Sequence, residues 1–264
     1  MTNSSPTPTA RSLPILVLRL FLIIVFPILL VLLSVRLVMT PLFVSFEYHR
    51  ADFPTDFYGF TREERLRYAP YALDYLLNGA DIDYLGDLTF TDGTPLYNER
   101  ELRHMHDVKL VTQTAFGVAL ILGAAALAAA IFLARRRELR PVLAGSLLAG
   151  ALLTLGIIAG IVAIAVVNWD FFFTRFHQLF FEGDTWTFAY SDTLIRLFPE
   201  QFWFDAALTI GVITINPFVY IITDSYSRLG TLDEVLMWVV ATLISSFLLL
   251  PLRVRLPAAT VLAV

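Results

Sequence analysis

The sequence predicts an all-α polytopic membrane protein, and three observations lead to this fold class. Of the 264 residues, 57% are hydrophobic and only 16% are charged. The mean hydropathy is +0.70, which is far above that of an ordinary soluble domain. Several apolar runs also reach the length of roughly 20 residues that a helix needs to cross a bilayer.

Five apolar runs are long enough to be considered as spans. They lie at about 13–38, 108–133, 142–167, 206–222 and 235–252. The first four predict a four-helix transmembrane core, and the fifth leaves open an extra C-terminal crossing. The second and third runs are rich in Ala and Gly, and small residues let helices approach closely in lipid, so we expect these two helices to pack together.

A short arginine-rich turn, ARRRELRP, joins the second and third runs and sets the orientation. Short loops rich in arginine face the cytoplasm, which places the N-terminus inside and the loops 39–107 and 168–205 outside. Residues 1–12 then form a disordered cytoplasmic tail, residues 13–230 the membrane domain, and residues 231–264 a C-terminal extension.

The first outer loop is too long to be a plain connector. Residues 62–79, REERLRYAPYALDYLLNG, have apolar side chains at helical spacing, and two turn signals follow them. The apolar positions that share a face are Leu66, Ala69, Leu73, Leu76 and Leu77. We therefore expect a small extracytoplasmic cap of amphipathic helices and a hairpin.

The second outer loop is rich in Phe and Trp. A soluble loop would not expose so many aromatic side chains. We expect it to dip into the membrane interface or to pack on the cap, and an aromatic anchor without chemistry is the alternative interpretation.

Titratable residues gather where the second apolar run begins, in the stretch RELRHMHDVKLV. A helix turns about 100° per residue, which places Glu101, His104 and Asp107 on one face. The same rotation points His106 away from Glu101. A carboxylate beside an imidazole raises its basicity and fixes its tautomer. His104 is therefore the better candidate for a working base.

A second candidate is His177, which is followed by Asp184 in the stretch FHQLFFEGDTW. Histidines at outer helix ends beside carboxylates and aromatic rings favour a functional site, and a structural role is the alternative. Because His104 and His106 are only two residues apart on a helix, they cannot readily bind one ion. A zinc site would have to unwind this segment or include His177 and Asp184, so we expect no metal.

The absence of cysteine excludes disulfides and thiolate chemistry, and no serine elbow, phosphate loop or metalloprotease motif is present. The runs FYGFTREER, YLLNG, YNERELRHMHDVK and FHQLFFEGDTWTFAYSDTLIRLFPEQFW resemble the bacterial integral membrane family that includes the lipoprotein intramolecular transacylases. The resemblance covers about residues 13–230. It implies an enzyme of the cytoplasmic membrane whose active site lies on the extracytoplasmic side.

The resemblance also implies the reaction and its participants. Such enzymes act on diacylglyceryl-modified lipoproteins within membrane lipid, without a cofactor or nucleic acid. They move the sn-2 acyl chain to the α-amine of the N-terminal cysteine and leave a lyso-form lipoprotein. One histidine comes from each outer segment, and the matching positions here are His104 and His177.

An acyl shift of this kind needs a general base and a partner for the oxyanion and the leaving alkoxide. As a hypothesis, His104 is the base and His177 is the second acid/base or the oxyanion partner. Six residues are candidates for supporting roles around the two histidines: Glu101 or Asp107 to hold one imidazole, Arg175 or Arg196 to contact the oxyanion or ester carbonyl, and Asp184 and Trp186 within the second motif.

Two other functions stay open from the sequence. A non-catalytic integral membrane protein would have dispensable histidines, although the scarcity of polar residues within the spans argues against an ion path. A metal-dependent membrane hydrolase would lose activity when its metal is removed.

Overall fold

The computed structural model describes residues 12–183 and 185–227, with side chains described up to residue 215, and every named element in these residues is helical. In chain order the α-helices are α1 Leu13–Val38, α2 Pro41–His49, α3 Arg62–Leu77, α4 Asp83–Gly86, α5 Glu99–Ala134, α6 Arg140–Val167, α7 Trp169–Phe180, α8 Thr193–Leu197 and α9 Glu200–Ser227. A 3₁₀ turn, Arg137–Leu139, precedes α6. The predicted all-α class is confirmed for this part of the chain.

Three helical stretches of the described chain are long and apolar enough to cross a membrane. They are α1, α5 and the stretch Arg137–Val167 that contains α6. The predicted fourth run, 206–222, lies inside α9. The predicted fifth run and most of the N-terminal tail lie outside the described residues, and the four-helix core stays a prediction.

The described residues divide into two compact units. The first contains residues 12–38, 115–176 and 204–227, and the second contains residues 39–114 and 177–203. The division falls inside α5, α7 and α9, so each of these helices contributes residues to both units.

The first unit is held by close packing between α1 and α6. A Cβ atom added to Gly150 on α6 would lie 2.9 Å from Cβ of Phe26 on α1, closer than two carbon atoms pack. The prediction that the second and third runs form the close pair is wrong, because α6 pairs most closely with α1. Two small residues of α5, Ala126 and Ala129, belong to the buried apolar cluster that contains Phe26.

We expect Gly150→Ala to destabilise the protein by about 1–3 kcal/mol, because the added methyl group must displace Phe26 and overpacking costs about this much. The measurement is the midpoint of thermal unfolding in detergent. Gly156→Ala, on the same helix, is the matched control, since its Cβ would have no neighbour within 4 Å. Equal stability of the two variants would contradict the close contact between α1 and α6.

In the second unit, α3 begins with a capping box. The Thr61 hydroxyl accepts a hydrogen bond from the Glu64 amide, and the Glu64 carboxylate accepts one from the Thr61 amide. The buried residues of α3 are Arg65, Tyr68, Ala69, Ala72 and Tyr75. The buried face of α3 is therefore rotated by about one residue from the predicted apolar face. Tyr68 and Tyr75 are buried in the core, in place of the predicted leucines.

The end of α3 is attached to α5. The Gln113 side chain donates to the carbonyl oxygens of Leu76 and Asn78, at 3.3 and 2.7 Å. Lys109 donates to the Ala80 carbonyl and places its ammonium 3.9 Å from the centre of the Tyr75 ring. These contacts fix the part of α5 that follows the candidate site.

The segment predicted to form a hairpin turns back on itself without forming strands. Thr89 and Pro95 make an isolated antiparallel bridge. The Phe90 amide donates to the Thr94 carbonyl at 2.8 Å, and Gly93 has φ +83°, which suits glycine in a tight turn. The structure therefore has a tight loop at this place.

Candidate active site

The first turn of α5 is set by a reciprocal cap at Asn98. The Asn98 side chain accepts hydrogen bonds from the amides of Arg100 and Glu101, both at 3.0 Å. The Glu101 carboxylate in turn accepts one from the Asn98 amide at 2.8 Å. This arrangement satisfies amides that a helix start leaves unpaired, and it fixes the rotation of the helix before His104.

That rotation buries one face of α5 in the second unit. Glu101 is 1% exposed and His104 is 9% exposed. The His106 side chain is 61% exposed, in agreement with the predicted helical phase. His104 therefore belongs to the interior of the unit, whereas His106 faces solvent.

The structure brings the two predicted histidines together. The imidazole of His104, on α5, and that of His177, on α7, have ring centres 6.4 Å apart and planes inclined by 26°. Both residues belong to the second unit. A reacting group beside this pair can come within hydrogen-bond reach of both rings.

Aromatic side chains enclose the pair. Trp186 stacks on His177 with ring centres 4.9 Å apart. Phe181 and Phe188 present edge-on contacts to His104 at 5.1 and 5.3 Å. Apolar surroundings of this kind disfavour the charged form of an imidazole, and only the neutral form can accept a proton.

His104 keeps one nitrogen available. Its Nδ1 atom is buried and has no hydrogen-bond partner among the described residues. Buried polar atoms in proteins are nearly always paired, and exceptions often mark places where a ligand binds or chemistry occurs. His104 therefore carries an unused acceptor or donor inside the enclosure.

The Glu101 carboxylate, predicted to hold an imidazole, has backbone partners in the structure. It accepts the amide hydrogen of Leu194 at 2.6 Å and that of Asn98 at 2.8 Å. Both oxygens are therefore used by backbone amides rather than by His104. Glu101 joins the start of α5 to the segment that precedes α8.

The other acidic candidates lie in different surroundings. Asp107 has a half-exposed side chain, with one carboxylate oxygen 3.6 Å from Nδ1 of His106. Asp184 lies outside the described residues. Among the described residues no group of three or more His, Cys, Asp or Glu side chains is placed to hold a metal ion.

The two arginine candidates make other contacts. Arg175 is exposed, and its guanidinium lies 5.4 Å from the centre of the Phe171 ring on the same helix. Arg196 donates two hydrogen bonds to one carboxylate oxygen of Asp56, at 3.0 and 2.9 Å, and a third to the Tyr58 carbonyl. Arg196 is therefore committed to the loop that precedes α3.

This ion pair shapes the charge of the loop. Burial alone raises the pKa of Asp56, but hydrogen bonds from Arg196 and from the Phe60 amide lower it more, so the pKa lies below its usual range. Asp56 therefore remains ionised at neutral pH, and the pair with Arg196 stays intact.

Two residues that contact His104 were not among the predicted site residues, namely Phe181 and Phe188. Phe181 follows His177 by four residues, so it lies about one helical turn further along the chain. Phe188 follows Trp186 by two residues in the same motif. These spacings were readable from the sequence as positions near His177 and Trp186.

Comparison with known proteins identifies the family. The family profile described as lipoprotein intramolecular transacylase Lit matches residues 20–203, which is more than half of the chain. The chain belongs to the lipoprotein intramolecular transacylase family. A protein of Aquifex aeolicus (strain VF5), itself described as uncharacterized, is 31% identical over 197 residues, covering 75% of this chain and 88% of the relative.

Solved structures share this fold. The in meso structure of the membrane integral lipoprotein intramolecular transacylase Lit from Bacillus cereus matches with a TM-score of 0.65 at 21% identity, covering 81% of this chain and 97% of that chain. A form of that protein with a histidine-to-arginine mutation matches with a TM-score of 0.52 at 20% identity, over 80% and 94%. The family resemblance predicted from the motifs is confirmed, and the roles of individual residues stay predictions.

Proposed function

We propose that this chain is itself a lipoprotein intramolecular transacylase. It moves the sn-2 acyl chain of a diacylglyceryl-cysteine to the α-amine of the same cysteine and leaves a lyso-form lipoprotein. The observation that carries the proposal is the pair of imidazoles, His104 and His177, 6.4 Å apart inside an aromatic enclosure. Membership of the transacylase family supports it.

The reaction needs no nucleophile from the enzyme, because the substrate supplies the attacking amine. The amine nitrogen forms a bond to the ester carbonyl carbon, and the bond from that carbon to the sn-2 oxygen then breaks. The nitrogen loses a proton and the departing glycerol oxygen gains one. Product and substrate therefore have the same mass, and the protein has only to position groups and move protons.

The two histidines divide this work. His104, buried and with an unused Nδ1 atom, accepts the proton of the attacking amine. His177, which is partly exposed, donates a hydrogen bond to the oxyanion or a proton to the departing oxygen. Donors aimed at developing charge in a dry enclosure stabilise the transition state more than they would in water.

The aromatic side chains around the pair suit a lipid substrate. Phe176, Leu179 and Phe180 are exposed. They lie on α7, the amphipathic helix that also carries His177. Such a face stabilises a helix at the membrane interface. This supports a position of His177 at the depth where the ester groups of lipids lie, and we propose that this is on the extracytoplasmic side of the bacterial cytoplasmic membrane.

The same proposal includes the membrane core and its cap. In the first unit the Thr214 hydroxyl on α9 donates to the Ser34 hydroxyl on α1 at 2.8 Å. Gly211 on α9 lies close to Ile158 and Val162 on α6. These contacts support α9 as the fourth helix of the core. The proposal also places the N-terminus in the cytoplasm and the loops 39–107 and 168–205 on the extracytoplasmic side.

Mass spectrometry of a lipoprotein N-terminal peptide tests the function. The host makes only diacylglyceryl lipoproteins and carries this chain. The expected product is an N-acylated lyso-peptide of unchanged total mass, which fragmentation distinguishes from the substrate. Unmodified peptide in the presence of well-expressed protein would remove this reaction and favour the non-catalytic alternative.

Metal removal separates the acyl shift from a metal-dependent hydrolase. We expect the purified protein to keep its full activity after treatment with a chelator, because two histidines and the substrate amine account for every proton transfer. The measurement is the rate of lyso-peptide formation before and after chelation. Loss of activity that added zinc restores would contradict the proposal and favour the hydrolase.

A further inference from the structure

The first turn of α5 makes three contacts with the segment 187–194 in the second unit. The Arg100 guanidinium donates to the Thr187 carbonyl at 3.2 Å. The Asn98 side chain donates to the Asp192 carboxylate at 3.1 Å. The Glu101 carboxylate accepts the Leu194 amide at 2.6 Å. We call Asn98, Arg100 and Glu101 the 98–101 clamp.

The contacts of the clamp lie on both sides of Phe188 and directly after Trp186. Phe188, whose ring lies 5.3 Å from that of His104, stands between the contacts at Thr187 and Asp192. Asp192 also accepts the Ala189 amide at 2.8 Å, which fixes the chain directly after Phe188. Trp186, stacked on His177, precedes the first of these contacts. The segment between the contacts therefore holds the Phe188 ring against His104, and its first contact fixes the chain directly after Trp186.

Glu101 is the buried member of the clamp. It is 1% exposed, it lies 93 positions from Leu194 in the chain, and it stands three residues before His104 on the same helix. Its carboxylate connects the helix turn before His104 to segment 187–194, which carries Phe188. Removing it would leave the Leu194 amide without its acceptor in a buried place and the Asn98 amide without its side-chain acceptor. A chain relieves such a loss by local opening.

We infer that Glu101 is a positioning residue, which holds segment 187–194 so that Trp186 and Phe188 fix the two imidazoles in working geometry. This inference rests on the proposed function of the histidine pair. It assigns Glu101 no contact with the substrate. Its influence on turnover passes through the segment, because small displacements of catalytic groups cost large factors in rate.

Two measurements on Glu101→Ala test the inference. Hydrogen exchange read by mass spectrometry should show faster exchange in the peptide that covers 187–194, with little change in α3. In the acyl-shift assay, kcat should fall at least about tenfold while KM changes less than about threefold. Glu101→Gln, which keeps one carbonyl oxygen for the Leu194 amide, should restore part of both quantities.

Glu99→Ala is the matched control, since Glu99 is an exposed carboxylate on the same turn. It should leave exchange and turnover unchanged. Arg100→Ala, at an exposed position, replaces Glu101→Ala if that variant does not fold, and it should loosen the same peptide to a smaller degree.

The outcomes separate the two proposals. Unchanged exchange at 187–194 in both Glu101→Ala and Arg100→Ala would overturn the clamp. Faster exchange with unchanged kcat would overturn the positioning role. Suppose that Glu101→Ala shows the faster exchange but the wild-type protein performs no acyl shift. That result would contradict the proposed function and leave the clamp in place.

Discussion

We expect the His104→Ala variant to lose the acyl shift by about 10²–10⁴-fold, the factor that a positioned general base contributes. The reason is that, among the described histidines, His104 alone combines a buried ring, an unpartnered Nδ1 atom and an aromatic enclosure. Glu101 does not replace it, because its carboxylate is occupied by two amides. The measurement is the initial rate of lyso-peptide formation by purified protein from a diacylglyceryl lipopeptide.

His106→Ala is the matched control for this prediction, because it removes the same chemical group two residues away. The His106 side chain is 61% exposed and its nearest acidic partner is Asp107 at 3.6 Å. Its loss should leave the rate within about twofold, as surface substitutions usually have small effects. An active His104→Ala variant and an inactive His106→Ala variant would reverse the assignment of the base.

The phase of α5 could be predicted from the sequence because it depends on local geometry alone. A helix of 36 residues repeats every 3.6 residues, so naming its start is enough to separate His104 from His106. The capping pattern at Asn98 and Glu101 marks that start within four residues of sequence. Family motifs then connected His104 with His177, which no local pattern could have paired.

The partners of charged residues could not be predicted, because they are set by contacts between distant parts of the chain. The sequence shows Glu101 near His104, but its carboxylate takes an amide 93 positions away. It shows Arg196 near the second motif, but the guanidinium pairs with Asp56, 140 positions away. Proximity in sequence suggested that both side chains act at the histidines, whereas in the structure they contact Leu194 and Asp56.

Packing surfaces were predicted in kind but not in detail. The segment 62–79 contains the helix α3, yet its buried face centres on Tyr68 and Tyr75 because tyrosine rings also fill cores when their hydroxyls lie at the edge. Small residues marked α6 as a helix that packs closely. They could not show that Phe26 of α1 occupies the space above Gly150, since any facing helix could fill it.

The second large effect is expected for His177→Ala, which should lower kcat by about 10²–10⁴-fold. His177 is the partner imidazole of His104 and is held by the stacked ring of Trp186. Without it, one of the two proton-handling groups is missing when the amine attacks and the glycerol oxygen departs. The measurement is the same initial rate, with substrate concentration varied so that kcat and KM are obtained separately.

Substrate binding should survive in this variant, because the aromatic enclosure around the site keeps most of its apolar surface. KM should therefore change by less than about fivefold, since an interaction made only in the transition state affects kcat and leaves ground-state binding in place. His49→Ala is the matched control, since His49 is exposed and its Nδ1 lies 2.7 Å from the Ser45 carbonyl on its own helix. A His177→Ala variant whose loss lies wholly in KM would mean that His177 binds the lipid and that His104 handles both protons alone.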